Sequence, residues 1–314
     1  MKIIFAGTPE IAATIFQKLL GSTHSIEAVL TQPDRPAGRG QKVLMSPVKA
    51  LALAENIVVY QPETLKGLDI QALLKGHEAD LMIVVAYGLI IPPAVLSIPR
   101  LGCWNVHVSL LPRWRGAAPI QRALEAGDSE TGVSLMQMDA GLDTGPILLQ
   151  EKMAITADMT AGLLHDLLAA SGADILLQGL ALQEAGKLTA ISQPPHGASY
   201  AHKLNKEEAR IDWSLPAVTL EFKIRAFHPW PICHTTYNDQ VVRIWQARCP
   251  AITCESITRK IGKIVYIKQD TIGVQTGEGI LEILTMQIPG SKAMPMPIFL
   301  NGHHDFFIED SVFI

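Results

Sequence analysis

The sequence predicts an α/β protein: a doubly wound, Rossmann-like, mostly parallel sheet, followed by a small C-terminal β-barrel with an oligonucleotide-binding (OB)-like barrel among the options. Three observations predict it. Over residues 1–190, short apolar runs alternate with stretches of helical period, as strands joined by crossover helices do. SQPPHGAS (192–199) then carries two Pro and one Gly in eight residues, a linker composition. Beyond it come four short β-type runs, QVVRIWQA, KIVYIKQ, TIGVQT and ILEILTMQ, the last two joined by the turn-like Gly277-Glu278-Gly279.

In order, KIIFAG (2–7) reads as a strand. EIAATIFQKLL puts Ile11, Ile15, Phe16 and Leu19 on one helical face, and IEAVLTQ is a second strand. A helix over 46–55, a strand over 57–60 and a helix over 68–75 follow, then the apolar strands in ADLMIVVAYG and GCWNVHVSL. A helix starting near Ala117, a strand over 133–138 and a long helix over 160–183, with Leu163, Leu164, Leu167, Leu168 and Leu176, complete the first part. The expected organisation is a catalytic domain over 1–190, a linker over 191–205 and a β-barrel domain over 206–314. Open parallel sheets bind ligands at the carboxyl ends of their strands, where residues 105–112 stand.

Composition narrows the function. With 48% hydrophobic and 18% charged residues in 314, the chain has material for a sizeable core. The apolar run in MKIIFAGTPE is too short for a secretory signal or a membrane span, so a cytoplasmic protein without membrane association is expected. Cys103, Cys233, Cys249 and Cys254 are scattered, which fits reduced thiols. Cys249 and Cys254 lack the second pair that a zinc site needs, so no metal is expected. The net charge of −4 means that nucleic-acid binding has to rest on local patches; residues 206–314 hold eleven Lys and Arg against twelve Asp and Glu.

GTPE (7–10) ends the first strand but has neither the GxGxxG fingerprint nor the GxxxxGK[ST] loop, so it reads as a tight strand-to-helix turn. TQPDRPAGRGQK (31–42) is expected to be an irregular loop, with Asp34 against Arg35, Arg39 and Lys42, placed to touch a phosphate backbone. The central constellation is Asn105, His107 and Asp143. Positions 105 and 107 share one side of a strand, so an amide and an imidazole converge. MDAGLDTGPIL (138–148) is a glycine-rich turn that presents Asp143. Such a set can polarise a carbonyl, stabilise an oxyanion and handle a proton. Ser109 lacks a GxSxG context and there is no HExxH, so the set suits direct attack by a substrate amine on a carbonyl carbon.

The runs Asn105-Val106-His107-Val108-Ser109-Leu110-Leu111-Pro112 and Asp139-Ala140-Gly141-Leu142-Asp143-Thr144-Gly145 carry N-x-H-x-S-L-L-P and D-x-G-x-D-T-G. In these the chain resembles the enzymes that use 10-formyltetrahydrofolate to formylate an amine. TQPDRPAGRG, RWRGAAPIQRA, KLNKEEARIDWS and RAFHPWP resemble the branch that acts on methionyl initiator tRNA. One departure is Val108, where many members carry Gly.

The resemblance implies that Asn105 hydrogen-bonds the formyl oxygen, that His107 stabilises the oxyanion, and that Asp143 holds the imidazole and moves a proton from the amine toward the folate nitrogen. It implies 10-formyltetrahydrofolate as cosubstrate without a metal. The folate would lie against Tyr87, Gly88, Leu89, Ile90, Ser109, Leu110, Leu111, Pro112, Asp139, Ala140, Gly141 and Leu142. Initiator methionyl-tRNA would meet Arg35, Arg39, Lys42, Arg113, Arg115 and, in the β domain, Lys206. A monomer is expected, since both sets lie in one chain. The rival readings are a formyltransferase acting on an amino sugar nucleotide and a non-catalytic RNA-binding protein; a nicotinamide dehydrogenase fails for want of the glycine fingerprint.

Overall fold

The computed structural model describes residues 1–37, 42–250 and 260–314. The elements up to residue 201 are β1 (Lys2–Gly7), α1 (Glu10–Leu20), β2 (Ser25–Leu30), β3 (Arg35–Ala37), β4 (Lys42–Leu44), α2 (Pro47–Ala54), β5 (Val59–Tyr60), α3 (Leu68–Gly76), β6 (Leu81–Val85), α4 (Pro93–Leu96), β7 (Cys103–His107), β8 (Arg115–Gly116), α5 (Pro119–Glu125), β9 (Glu130–Gln137), β10 (Ile147–Ala154), α6 (Ala161–Glu184) and β11 (Tyr200–Ala201). The chain packs into two units. One comprises Met1–Pro119, Glu130–Ala154 and His165–His202; the other comprises Ile120–Ser129, Ile155–Leu164 and Lys203–Ile314.

In the first unit the sheet order is β10-β9-β7-β6-β1-β2-β5. The strands from β5 to β7 pair in parallel, while β9 and β10 are antiparallel. The β9–β10 connection carries no helix, and parallel neighbours need a crossover, so these two strands pair antiparallel. Alternation along each strand divides the core into two layers. On one side Phe5 stacks on Phe16 of α1, and α6 passes over Val106 and Leu135 at Gly172 and Gly179. On the other, Ile4, Ala6, Leu30, Met82, Val84 and Cys103 pack with Ile70 and Leu74 of α3 and Val95 of α4. Asn105 and His107 continue the row begun by Cys103, so they stand on this second face where the strand runs out from under its helices.

Within the 31–42 stretch, residues 35–37 and 42 correct the expectation of an irregular loop, and residues 38–41 lie outside the described residues: β3 and β4 form an antiparallel ribbon pairing Arg35 with Leu44 and Pro36 with Val43. A two-stranded ribbon has two open edges, so the N–H that Pro36 lacks need not be missed by a partner strand. The ionic pattern differs too. Asp34 takes Lys49 of α2 and the Gln61 amide as partners, and these hydrogen bonds hold its carboxyl below the usual range. Asp34 thus anchors the ribbon's base, leaving Arg35 exposed. Arg39 lies outside the described residues, and Lys42 opens β4.

The second unit continues with α7 (Ala217–Ala226), β12 (His234–Tyr237), β13 (Gln240–Arg248), β14 (Ile264–Ile267), β15 (Ile272–Gln275), β16 (Ile280–Gln287), β17 (Met294–Pro295) and α8 (Met296–Gly302). Its antiparallel sheet runs β12-β13-β16-β15-β14, with β17 on β16, the half-barrel of a small β-barrel domain. Residues 311–314 join the two outer strands. Ile314 exchanges backbone hydrogen bonds with Thr236 of β12, while Ser311 and Phe313 bond Ile264 and Gly262 at β14. Under the sheet Tyr237, Phe307 and Phe313 pack as one aromatic cluster.

Candidate active site

Asn105, His107 and Asp143 come together. Asn105 Nδ2 donates to Asp143 Oδ1 at 3.2 Å, and His107 Nδ1 faces Asp143 Oδ2 at 3.8 Å. Oδ2 also accepts the Gly116 backbone N–H at 2.8 Å. The carboxylate is therefore oriented by an amide and a main-chain donor, and its approach to the imidazole is longer than a hydrogen bond. His107 Nε2 lies 2.9 Å from the Trp114 carbonyl, which can only accept, so Nε2 carries a proton. Nδ1, facing the carboxylate, is then the ring atom able to take or give one. The side chains of His107 and Asp143 are 6% and 12% exposed, which removes most of the water that would screen their charges. One Asn105 amide hydrogen is spent on Asp143; the other has no partner among the described residues and is available to a ligand oxygen.

Both short motifs have a structural logic beyond these three residues. In the D-x-G-x-D-T-G run the Asp139 carboxylate turns into its own loop, accepting from Gly141 N at 2.9 Å and Thr144 Oγ1 at 2.7 Å. Asp143 itself adopts φ 53°, and Trp114, whose carbonyl holds His107, adopts φ 63°. Left-handed backbone is unusual for Trp, and two such residues beside one site are strain held by the surrounding bonds. Gly145 closes the loop's neck: a Cβ there would stand 1.9 Å from the Gln137 carbonyl oxygen. Gly145→Ala is therefore expected to lower stability by about 3 kcal/mol or more, as overpacking against backbone does. Urea denaturation with a parallel activity assay checks this, and a variant of wild-type stability would contradict it.

In the N-x-H-x-S-L-L-P run, Ser109 Oγ donates to the Arg113 carbonyl at 2.7 Å, and its own carbonyl accepts from Ser134 Oγ at 2.7 Å. Leu111 N donates to the same Ser134 Oγ, and Gln150 Nε2 donates to the Leu111 carbonyl. Ser109 and Leu111 are buried, so these residues shape the loop from within.

The other residues expected around the folate divide. Tyr87 is buried among the second-face core residues; its hydroxyl has no partner among the described residues, and burial raises its phenol. Its carbonyl is taken by Thr8 Oγ1 and Gln32 Nε2. Leu89 packs on that core together with Met138, which precedes the Asp139 loop. Val84, the register partner of Asn105, belongs to the same cluster. Ile90 is 83% exposed and Leu142 59% exposed, so two loops each offer an apolar side chain to solvent. An apolar floor at Val84, Leu89 and Met138 thus adjoins the free Asn105 donor, which fits a flat heteroaromatic ring carrying a polar acyl group.

The basic residues divide as well. Arg113 stacks over Trp114, whereas the Arg115 guanidinium donates twice to Gln193 Oε1, at 3.1 and 2.7 Å. Lys206 is exposed in the second unit, just before a short 3-10 turn at Glu207–Ala209. Burial pushes the thiols of Cys103 and Cys233 up to about 12. Among the described residues no cluster of His, Cys, Asp or Glu is placed to hold a metal ion, and no helix is long and apolar enough to cross a membrane.

Sequence reasoning missed Gly116, Trp114, Ser134, Gln150 and Gln193. Gln193 was hidden by its neighbours, because SQPPHGAS has the composition of a linker. In the structure this stretch is a strap: Ile191 pairs with Ile147, Ser199 Oγ accepts the Trp114 N–H, and β11 pairs in parallel with β8.

The formyl transferase family model matches residues 1–180, and the model of the formyl transferase C-terminal domain matches residues 203–304. Methionyl-tRNA formyltransferase of Pseudomonas fluorescens is 53% identical over 307 residues, 98% of this chain and 95% of the relative. That of Pseudomonas putida is 52% identical over 312 residues, 99% of each. Among solved structures, the sugar 3N-formyltransferase WlaRD, crystallised in the presence of dTDP and 5-N-formyltetrahydrofolate, superimposes with a TM-score of 0.67 at 19% identity. That match covers 93% of this chain and 99% of WlaRD and speaks to the fold alone. With motifs, fold and near-complete similarity in agreement, the chain belongs to the methionyl-tRNA formyltransferase family.

Proposed function

We propose that the chain transfers the formyl group of 10-formyltetrahydrofolate to the α-amino group of methionyl initiator tRNA. The observation that carries this reading is the convergence of one amide donor, one imidazole and one largely shielded carboxylate beside an apolar floor, with no side-chain nucleophile positioned there among the described residues: the hydroxyl of nearby Ser109 is already committed to the Arg113 carbonyl.

The chemistry follows from what each group can do. The amine lone pair attacks the formyl carbon, and negative charge builds on the formyl oxygen. Asn105 donates its second amide hydrogen there, a donor aimed at charge that grows in the transition state. His107, its ring oriented by the Trp114 carbonyl, stabilises the charge growing on the same oxygen. Asp143 accepts the proton that the attacking nitrogen must lose and returns it toward the departing folate nitrogen, so the new C–N bond forms as the old one breaks. Arg35, Arg39, Lys42, Arg113 and Lys206 contribute to tRNA binding in this reading, and Arg115 contributes mainly by shaping the loop. The protein acts as a cytoplasmic monomer without membrane association.

The test is turnover. Purified protein with 10-formyltetrahydrofolate is given methionyl initiator tRNA or a dTDP-linked amino sugar, and formylated product and released tetrahydrofolate are quantified. Formylmethionyl-tRNA in step with tetrahydrofolate supports the reading. Product from the amino sugar alone overturns the acceptor, and no product from either overturns catalysis and leaves an RNA-binding protein.

A further inference from the structure

The strap residue Gln193 closes a ring of hydrogen bonds around Asp143. Its Nε2 donates to the Asp143 carbonyl at 2.7 Å and to the Gly145 carbonyl at 2.8 Å, bridging the two sides of Thr144. Its Oε1 accepts both Arg115 Nε and Nη2. The next residue, Gly116, returns to the Asp143 side chain through its backbone N–H at 2.8 Å. The circuit thus runs from the Asp143 carboxylate to Gly116, along the chain to Arg115, across to Gln193 and back to the Asp143 main chain. One amide side chain fixes the catalytic loop from behind, and one backbone N–H fixes the carboxylate from in front.

The ring is needed because of the loop's own conformation. Asp143 sits at φ 53°, which a non-glycine residue holds only when its surroundings impose it. Among the described residues the Asp139 carboxylate bonds within the loop, to Gly141 and Thr144, so it stiffens the loop without fixing its position on the sheet. The bonds from Gln193 tie Asp143 and Gly145 to a segment outside the loop. Glutamine suits this place: one planar group supplies two donors to the carbonyls and an acceptor for the guanidinium fork, with no charge added next to Asp143.

We propose that Gln193 is a positioning residue for the formyl transfer, holding Asp143 at the distance and angle at which its carboxylate meets Asn105 and His107. The proposal rests on the reading of Asp143 as the proton-handling group. It gives the 191–205 stretch a role in catalysis, and it makes Arg115 a support of the same ring.

Two variants and two readouts test it. Gln193→Leu removes donors and acceptor together; Gln193→Glu keeps an acceptor for Arg115 and replaces the donors with repulsion between the carboxylate and the two carbonyls. In both, kcat for methionyl-tRNA formylation is expected to fall about 30-fold with KM for either substrate within about twofold, since small misplacements cost rate more than binding. In an Asp143→Asn background, Gln193→Leu is expected to change kcat less than about twofold, because the two act through one group. Full additivity would mean that Gln193 acts elsewhere and would sink the proposal.

The second readout needs no turnover. Exchange of the Gly116 amide proton, followed by NMR, is expected to speed up about tenfold in both Gln193 variants while Ile4 in β1 is unchanged. An unchanged Gly116 rate overturns the ring. A faster Gly116 rate with unchanged kcat keeps the ring and overturns its link to catalysis. Wild-type protein that gives no formylmethionyl-tRNA refutes the functional reading while the exchange result stands by itself.

Discussion

Asp143→Ala lowers kcat for formylation of methionyl-tRNA by about three orders of magnitude, with KM for the tRNA within about threefold of wild type. Proton handling by a positioned group is worth about 10²–10⁴ in rate. The same substitution removes the acceptor for Asn105 Nδ2 at 3.2 Å and for Gly116 N at 2.8 Å, so the amide loses its orientation as the base is lost. Asp143→Asn does not rescue it. If the asparagine oxygen keeps the bond to Gly116, its amide nitrogen meets Asn105 Nδ2, donor against donor. Rapid-quench single turnover at saturating substrates separates the chemical step from product release. A fall of less than about tenfold in the alanine variant would show that proton transfer does not depend on this carboxylate.

Asn105→Ala comes next, with an expected loss of about 10²–10³ in kcat, or roughly 3–4 kcal/mol of transition-state stabilisation, the usual effect of deleting one donor to a developing oxyanion. Binding changes little, because the formyl oxygen carries less charge before attack than during it. Steady-state kinetics with the tetrahydrofolate donor alongside equilibrium binding of an unreactive folate analogue check both halves. An equal fall in affinity and in kcat/KM with unchanged kcat would make Asn105 a ground-state contact.

The sheet was legible because apolar runs such as LMIVV have no other stable placement than between two layers of helices, and the pairing of Asn105 with His107 follows from strand alternation alone. Asp143 was legible as a residue of a glycine-rich loop, since the spacing of such glycines betrays close backbone approach. What was not legible came from contacts between segments far apart in sequence. Gln193 meets Asp143 across 50 positions and Arg115 across 78, and no local pattern marks such a residue. The pairing of β3 with β4 was missed for a different reason: Pro36 argues against a strand in a broad sheet, and the argument weakens for a two-stranded ribbon whose edges are open. The contact of Arg115 with Gln193 was likewise not legible, because sequence shows a charge and not the acceptor that meets it.

The joining of residue 314 to residue 236 sets a kinetic order on the second unit. Hairpins such as β15–β16 unite near neighbours and can form early, whereas this seam closes the long loop from residue 236 to residue 314 and has to wait until the intervening strands are in place. Until that moment β12 and β14 each present an unpaired edge with exposed N–H and C=O groups, the surface on which one chain adds to another. The interval before the seam forms is thus a period in which these edges are open to self-association.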